Sequence, residues 1–344
     1  MTPPGNPSPV PSTAIMEIVR KQLPQIDATL IRQARARIRQ YVLHTPLEFS
    51  YPLSNKTGAN VFLKLENLQV AGSFKPRISF NKLLSLDEET RQRGAIASTA
   101  GGHGIGLSYA GKVLGVPIDV YLPRTVDPRK LELIKRNGAQ LTFFDSVEAA
   151  RIAAVETAAQ TGKTFVSAYN DEQVIAGSGT IGLEIGEDLP SADLVLVGMG
   201  GGGIACGISI ALKDSNPNAQ VWGVQSEENS VLVDWLRAGK QIEVENRASI
   251  AEGLGALIET DSITYPLAQK WIDNTILVSE EEIKDAMLWA LDEHQYVVEP
   301  SGAAQIAALG KIEANRFKNI VIVITGRNIS RQRFLSILKS RLNL

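Results

Sequence analysis

The 344 residues are 44% hydrophobic and 21% charged, the make-up of a globular chain long enough for two domains of ordinary size. A formal net charge of −2 gives no electrostatic reason to expect nucleic acid or an anionic membrane as partner, and no apolar run approaches the roughly 20 residues that a membrane span needs. The single cysteine, Cys206, excludes an internal disulfide framework and points to a reducing compartment, with the cytoplasm as the expected location.

Residues 1–24, opening MTPPGNPSPVPST, are Pro-rich and lack both apolar periodicity and a basic-plus-apolar signal pattern. They are expected to form a disordered or extended lead-in. Residues 26–43 have helical spacing, with Asp27 placed to cap. The chain then alternates. Strands are expected at 60–66, 94–99, 118–123 and 139–144, followed by helices at 73–86, 103–115, 127–138 and 147–162. Further strands at 194–199, 221–226 and 321–325 each precede a helical pattern. Repeated strand–helix units imply an α/β fold with mostly parallel twisted sheets flanked by helices. The strands are short and rich in Val, Ile and Leu, as strands buried on both faces are. Ligands of such sheets bind beyond the carboxyl ends of the strands.

Several segments fall at those ends. Gly200, Gly201, Gly202 and Gly203, in LVLVGMGGGGIACGI, lie between a strand and a helix. Backbone there can approach an anion closely, and the first-turn amides attract it. The same pattern also occurs as a dinucleotide loop or as tight packing. The dinucleotide spacing fits poorly, because the next strand ends Gln225-Ser226 with no well-placed ribose-binding carboxylate. Lys75, in VFLKLENLQVAGSFKPR, opens a helix after an apolar strand, with Ser73 placed to cap. Most lysines are solvated surface charges, but a desolvated one loses its proton and becomes nucleophilic. In ASTAGGHGIGLSYAGKVLG the small residues and helix start make either a carboxylate nest or a tight turn. His103 there reads more readily as structural than as catalytic. Thr325, in VIVITGRNIS, ends a strand and would bond a ring nitrogen or cap the next turn. Glu299 precedes Pro300 and would start a helix or touch a ligand.

An amine at one strand end and a phosphate-sized cradle at another suit an aldehyde cofactor carrying a phosphate, pyridoxal 5′-phosphate. Taken in order from about Ile26 to the C-terminus, these segments resemble the tryptophan-synthase-β-like superfamily of pyridoxal-phosphate enzymes, fold type II. They look most like its threonine/serine dehydratase branch, which includes serine racemase. LHTPLEFS, NDEQVIAGSGTIGLEI and VSEEEI add to the likeness. The resemblance implies two domains with the cofactor in the cleft between them. The large domain would take residues 25–51 and 156–344, and a small inserted domain residues 52–155. By the same resemblance Lys75 forms the Schiff base with the cofactor and is the catalytic residue. Gly200 to Gly203 hold the phosphate, Thr325 faces the pyridine nitrogen, and Glu299 lies near the ring. Ser73, Thr99, Ala100, Gly101 and His103 would bind the substrate.

The chain also departs from that family. Gly102 stands where members usually carry an Asn whose amide bonds the cofactor's phenolic oxygen. Ala100 stands where serine racemase has its second acid–base serine, which argues against racemisation. The racemase branch's metal site is expected to be absent, since its positions fall at Gln225 and near Val231. With Leu344 as its last residue, the chain is expected to lack the regulatory domain of biosynthetic threonine dehydratases. The expected activity is α,β-elimination of a β-hydroxy-α-amino acid such as threonine, serine or 3-hydroxyaspartate, giving a 2-oxo acid and ammonia. The alternatives are a β-replacement synthase, an eliminase of a modified amino acid, and a ligand-binding homologue without turnover. The expected partner is a small amino acid, and the resemblance implies a homodimer.

Overall fold

The computed structural model describes residues 26–255 and 258–342. The expected lead-in at 1–24 lies outside them. Asp27 caps the first helix, Ala28–Ile38, by accepting from the Leu30 amide at 2.8 Å. Ten strands follow in two sheets: β1 (Leu47–Phe49), β2 (Asn60–Lys64), β3 (Ala95–Ser98), β4 (Ile118–Pro123), β5 (Gln140–Phe144), β6 (Thr164–Phe165), β7 (Leu194–Gly198), β8 (Gln220–Ser226), β9 (Asn274–Val278) and β10 (Asn319–Val323).

The six-stranded sheet has the order β1-β2-β10-β7-β8-β9, and the four-stranded sheet β5-β4-β3-β6. Every pairing is parallel except β1 with β2. The central strands β7 and β10 are buried along their whole length, so both faces must find apolar cover. Val195, Val197, Val321 and Val323 join one apolar cluster, with helices Glu172–Asp188 and Gly203–Ser215. Leu194, Leu196, Ile320 and Ile322 join the other, with helices Glu280–His294 and Pro300–Leu309. The two-residue period of a strand produces this division. Burying each such side chain stabilises the fold by about 1.5–3 kcal/mol. The first cluster also takes Ala95, Ala97, Val120 and Leu122, so one apolar core runs under both sheets.

The sheets divide the chain differently from the expected domain limits. Strand β2 was expected inside the inserted unit that begins at 52, but it pairs with β10 in register Ile320↔Val61 and belongs to the large sheet. Its inward residues Val61 and Leu63 need cover on the large sheet's second face, which explains the placement. A limit at 155 falls inside the helix Val147–Thr161, and β6 beyond it still pairs with β3. The four-stranded sheet therefore draws on residues 95–165.

Candidate active site

The carboxyl ends of β3, β6, β7 and β10 face one cavity of about 380 Å³. Ser73, Lys75, Thr99, Ala100, Gly102, His103, Gly200, Gly201, Gly202, Gly203, Glu299 and Thr325 line it. Gly101 does not line it. It lies behind the turn with φ +134, where an added Cβ would come 2.7 Å from Lys130 Cδ.

Lys75 opens the helix Lys75–Ser85, with Pro76 in the first turn, where the missing N–H costs nothing. Ser73 does not cap this helix. Phe74 occupies the cap position, and the Ser73 hydroxyl is buried with no hydrogen-bond partner among the described residues. Its backbone is extended and bridged antiparallel to Gly326. The Phe74 amide also donates to the Thr325 carbonyl at 3.2 Å, so Lys75 is tied by main chain to the end of β10. Just upstream, Ala71 is left-handed at φ 58, a conformation that costs a residue with a Cβ about 1–3 kcal/mol. Its carbonyl accepts from Asn328 Nδ2 at 2.9 Å, which helps hold the strained turn.

Burial pulls the Lys75 amine down to about 8, against the opposing pull of Glu299. Burial pushes the Glu299 carboxyl up, and Lys130 and Lys75 only partly counter it. Glu299 sits at the cap position of the helix Pro300–Leu309 but makes no side-chain cap bond, and its carboxylate packs against Gly326. Thr325 Oγ1 donates only weakly, to the Ser301 carbonyl at 3.4 Å. Burial and the nearby Lys75 drop His103 to about 3, so its ring is neutral. Its Nε2 lies 3.0 Å from the Val166 carbonyl and so carries the proton, leaving Nδ1 without a partner among the described residues. Burial also raises the Cys206 thiol to about 12, which leaves it inert.

The glycine run is held from behind. Gly202 has φ +89, and an added Cβ would meet Leu232 Cδ2 at 2.8 Å. A Cβ on Gly201 would enter the Tyr169 ring, whose hydroxyl bonds Glu259. Buried Gln225 donates to the Gly200 carbonyl at 3.3 Å and accepts from the Val233 amide at 2.9 Å, bracing the loop against the next strand. The helix Gly203–Ser215 starts at this run, and its first-turn amides lack intrahelical partners.

Several contributors to the site were not singled out by sequence. Tyr169 and Gly106 act by non-local packing: a Cβ on Gly106 would come 2.6 Å from Lys75 Cβ. Buried Arg77, two residues after Lys75, binds Glu66 at 2.8–2.9 Å and Glu184 at 2.6–2.9 Å, locking the helix to the core. Lys130 and Glu252 form a further charged pair at the cavity, with Arg333 behind Glu252. Their only signal in the chain was charge, which most surface residues share.

These residues fit pyridoxal phosphate. A helix start built from glycines suits its phosphate, an amine with a lowered proton affinity suits its aldehyde, and the unsatisfied Ser73 and weakly bonded Thr325 hydroxyls await polar partners. The family model described as pyridoxal-phosphate dependent enzyme matches residues 38–326. The L-threonine ammonia-lyase of Thermotoga maritima is 40% identical over 301 residues, covering 87% of this chain and 75% of that protein. The catabolic L-threonine dehydratase of Staphylococcus aureus is 36% identical over 321 residues, covering 91% and 92%. Maize serine racemase superposes with a TM-score of 0.85 at 29% identity, covering 92% of this chain and 98% of that one. With this match and this cavity, the chain belongs to the pyridoxal-phosphate dependent enzymes of fold type II.

Proposed function

We propose that the chain eliminates water from a β-hydroxy-α-amino acid, such as threonine, serine or 3-hydroxyaspartate, and releases the 2-oxo acid and ammonia. One observation carries this reading: an amine that sheds its proton near pH 8 shares a cavity with a glycine cradle and the small-residue start of the helix Gly102–Leu114. Bound there, pyridoxal phosphate supplies an electrophilic carbonyl and an electron-withdrawing ring. The chain's own residues would do the rest. Gly200 to Gly203 would hold the phosphate, with Tyr169 behind them fixing the loop. The amides of Ala100, Gly102 and His103 would bind the substrate carboxylate, helped by the N-terminal end of their helix, since the Thr99 amide donates to the Tyr121 carbonyl and the Gly101 amide to Thr99 Oγ1. Lys75 Nζ would remove the Cα proton as general base. Thr325 presents a neutral hydroxyl, which leaves the ring a modest electron sink and favours loss of the β-substituent. Ala100 offers no acid–base group, which favours elimination over racemisation, although maize serine racemase shares the fold.

Ammonia and 2-oxo acid released from a panel of β-hydroxy amino acids test the reading. Product that forms only when a thiol is added would support β-replacement instead. No described helix is long and apolar enough to cross a membrane. A cytoplasmic location belongs to the same reading, supported by the single buried cysteine. So does a homodimer, supported by exposed Leu43, Phe49 and Tyr51 on and around the edge strand β1, and light scattering checks it.

A further inference from the structure

The helix Pro128–Arg136 follows β4 of the four-stranded sheet, yet its first turn is fastened to the other sheet's side of the cleft. Lys130 Nζ lies 2.9 Å from Glu252 and 3.9 Å from Glu299, both outside residues 95–165. Glu252 is also bound by Arg333. Asp127 caps the same helix through the Arg129 amide at 2.8 Å, and its other oxygen accepts from the Ser330 amide at 3.2 Å. Lys130 is only 8% exposed, unusual for a lysine and tolerable only if it is paired. Burial alone would lower its proton affinity, but Glu299 and Glu252 outweigh that and raise it, so it is a fixed cation. Its aliphatic stem is the surface on which Gly101 rests, with Cδ and Cβ at 2.7 and 3.0 Å from the place a Cβ would occupy.

We propose that Lys130 is a positioning residue that latches the turn Thr99–His103 in place and holds a cation beside Glu299 at the cavity. The inference rests on the elimination reading only for its consequence in turnover. Glu299 faces Lys130 and Lys75 as cations and Glu252 and Asp127 as anions, with Arg333 one step further, on Glu252. Without Lys130, Glu299 is left buried beside like charges, and its proton affinity rises further. The turn simultaneously loses the stem beneath it. An ordinary structural ion pair would predict loss of stability alone.

The test uses the cofactor-free full chain first. Lys130→Gln should speed hydrogen exchange of amides 99–104 at least tenfold. It should also raise an infrared band of a protonated carboxyl at neutral pH, assigned by its loss in Glu299→Gln. Lys130→Arg should suppress that band. In the loaded enzyme, the acid limb of kcat/KM should move up by about 1–3 pH units in Lys130→Gln. If Lys130→Gln does not fold, Glu252→Gln removes the anion that holds the Lys130 stem across the cleft while keeping the charge of Lys130, and should speed the same exchange. Wild-type exchange together with an unchanged carboxyl band in the folded variant overturns the proposal. A band that appears in a chain with no lyase activity overturns the elimination reading and leaves the latch standing.

Discussion

Gly106→Ala tests how Lys75 is placed. Gly106 sits in the helix Gly102–Leu114 where it crosses the start of the helix Lys75–Ser85. An added Cβ would lie 2.6 Å from Lys75 Cβ and 2.8 Å from its carbonyl carbon. Carbon atoms in contact settle at about 3.5–4.0 Å, so the two helices must part by about 1 Å. The atoms struck are largely main chain, so no side-chain rotation relieves the clash. A misplacement of that size costs a catalytic group about 100-fold in rate, and overpacking costs about 1–3 kcal/mol of stability. The purified variant should therefore show kcat for ammonia release down about 100-fold, which is about 2.7 kcal/mol in the barrier, with KM changed far less. Its Tm should fall as well. Gly310→Ala is the control, since its nearest neighbour would be 3.4 Å away and it is exposed. Wild-type kcat and Tm in Gly106→Ala would refute the packing argument.

Other variants probe the remaining parts. The Lys75 amine is held at about 8, so cofactor capture by the cofactor-free protein should quicken about tenfold per pH unit below that value and level off above it; a flat rate contradicts the assignment. Gly201→Ala drives a methyl into the Tyr169 ring and should weaken cofactor binding by about 10–100-fold in equilibrium dialysis. Arg77→Met leaves Glu66 buried without its cation and Glu184 with Lys64 alone, and should cost about 3–5 kcal/mol in urea unfolding. Burial alone would raise the Glu184 carboxyl, but Arg77 and Lys64 hold it below the usual range. Its contribution to stability is therefore complete above the ordinary carboxylate range and fades as pH falls through its lowered value, so Arg77→Met should also flatten the acid limb of stability against pH.

The parts of this protein that are local in sequence were legible there. Strand–helix alternation gave the α/β architecture because each short apolar strand is buried on both faces, as β7 and β10 are. Gly200 to Gly203 and Thr325 were readable because each lies just past a strand that the pattern located, and parallel sheets bring those ends together, while Lys75 opens the next helix after β2. What depended on distant packing was not readable. Strand β2 belongs to the large sheet because β10, far along the chain, pairs with it. Ser73 sits where a cap residue is common, but its hydroxyl makes no bond to the helix among the described residues, and Phe74 takes the cap position. Tyr169 beneath the glycine run, Gly106 against Lys75, and the Lys130–Glu252–Arg333 group join positions that nothing in the linear order connects. Gly102 has the opposite character. The sequence marked it as a departure from the family, and a Cβ there would meet nothing within 4 Å, so the glycine leaves open space rather than relieving a clash with the protein.

The central claim is that Lys75 joins the cofactor and drives elimination. The most direct measurement is the visible absorption spectrum of the purified chain with pyridoxal phosphate, alone and with L-threonine, L-serine and 3-hydroxyaspartate, beside Lys75→Ala. The account predicts a visible band that is absent in Lys75→Ala and that changes with one of these amino acids as ammonia and 2-oxo acid appear. A band that persists unchanged in Lys75→Ala, or no band after the cofactor is added, would contradict it.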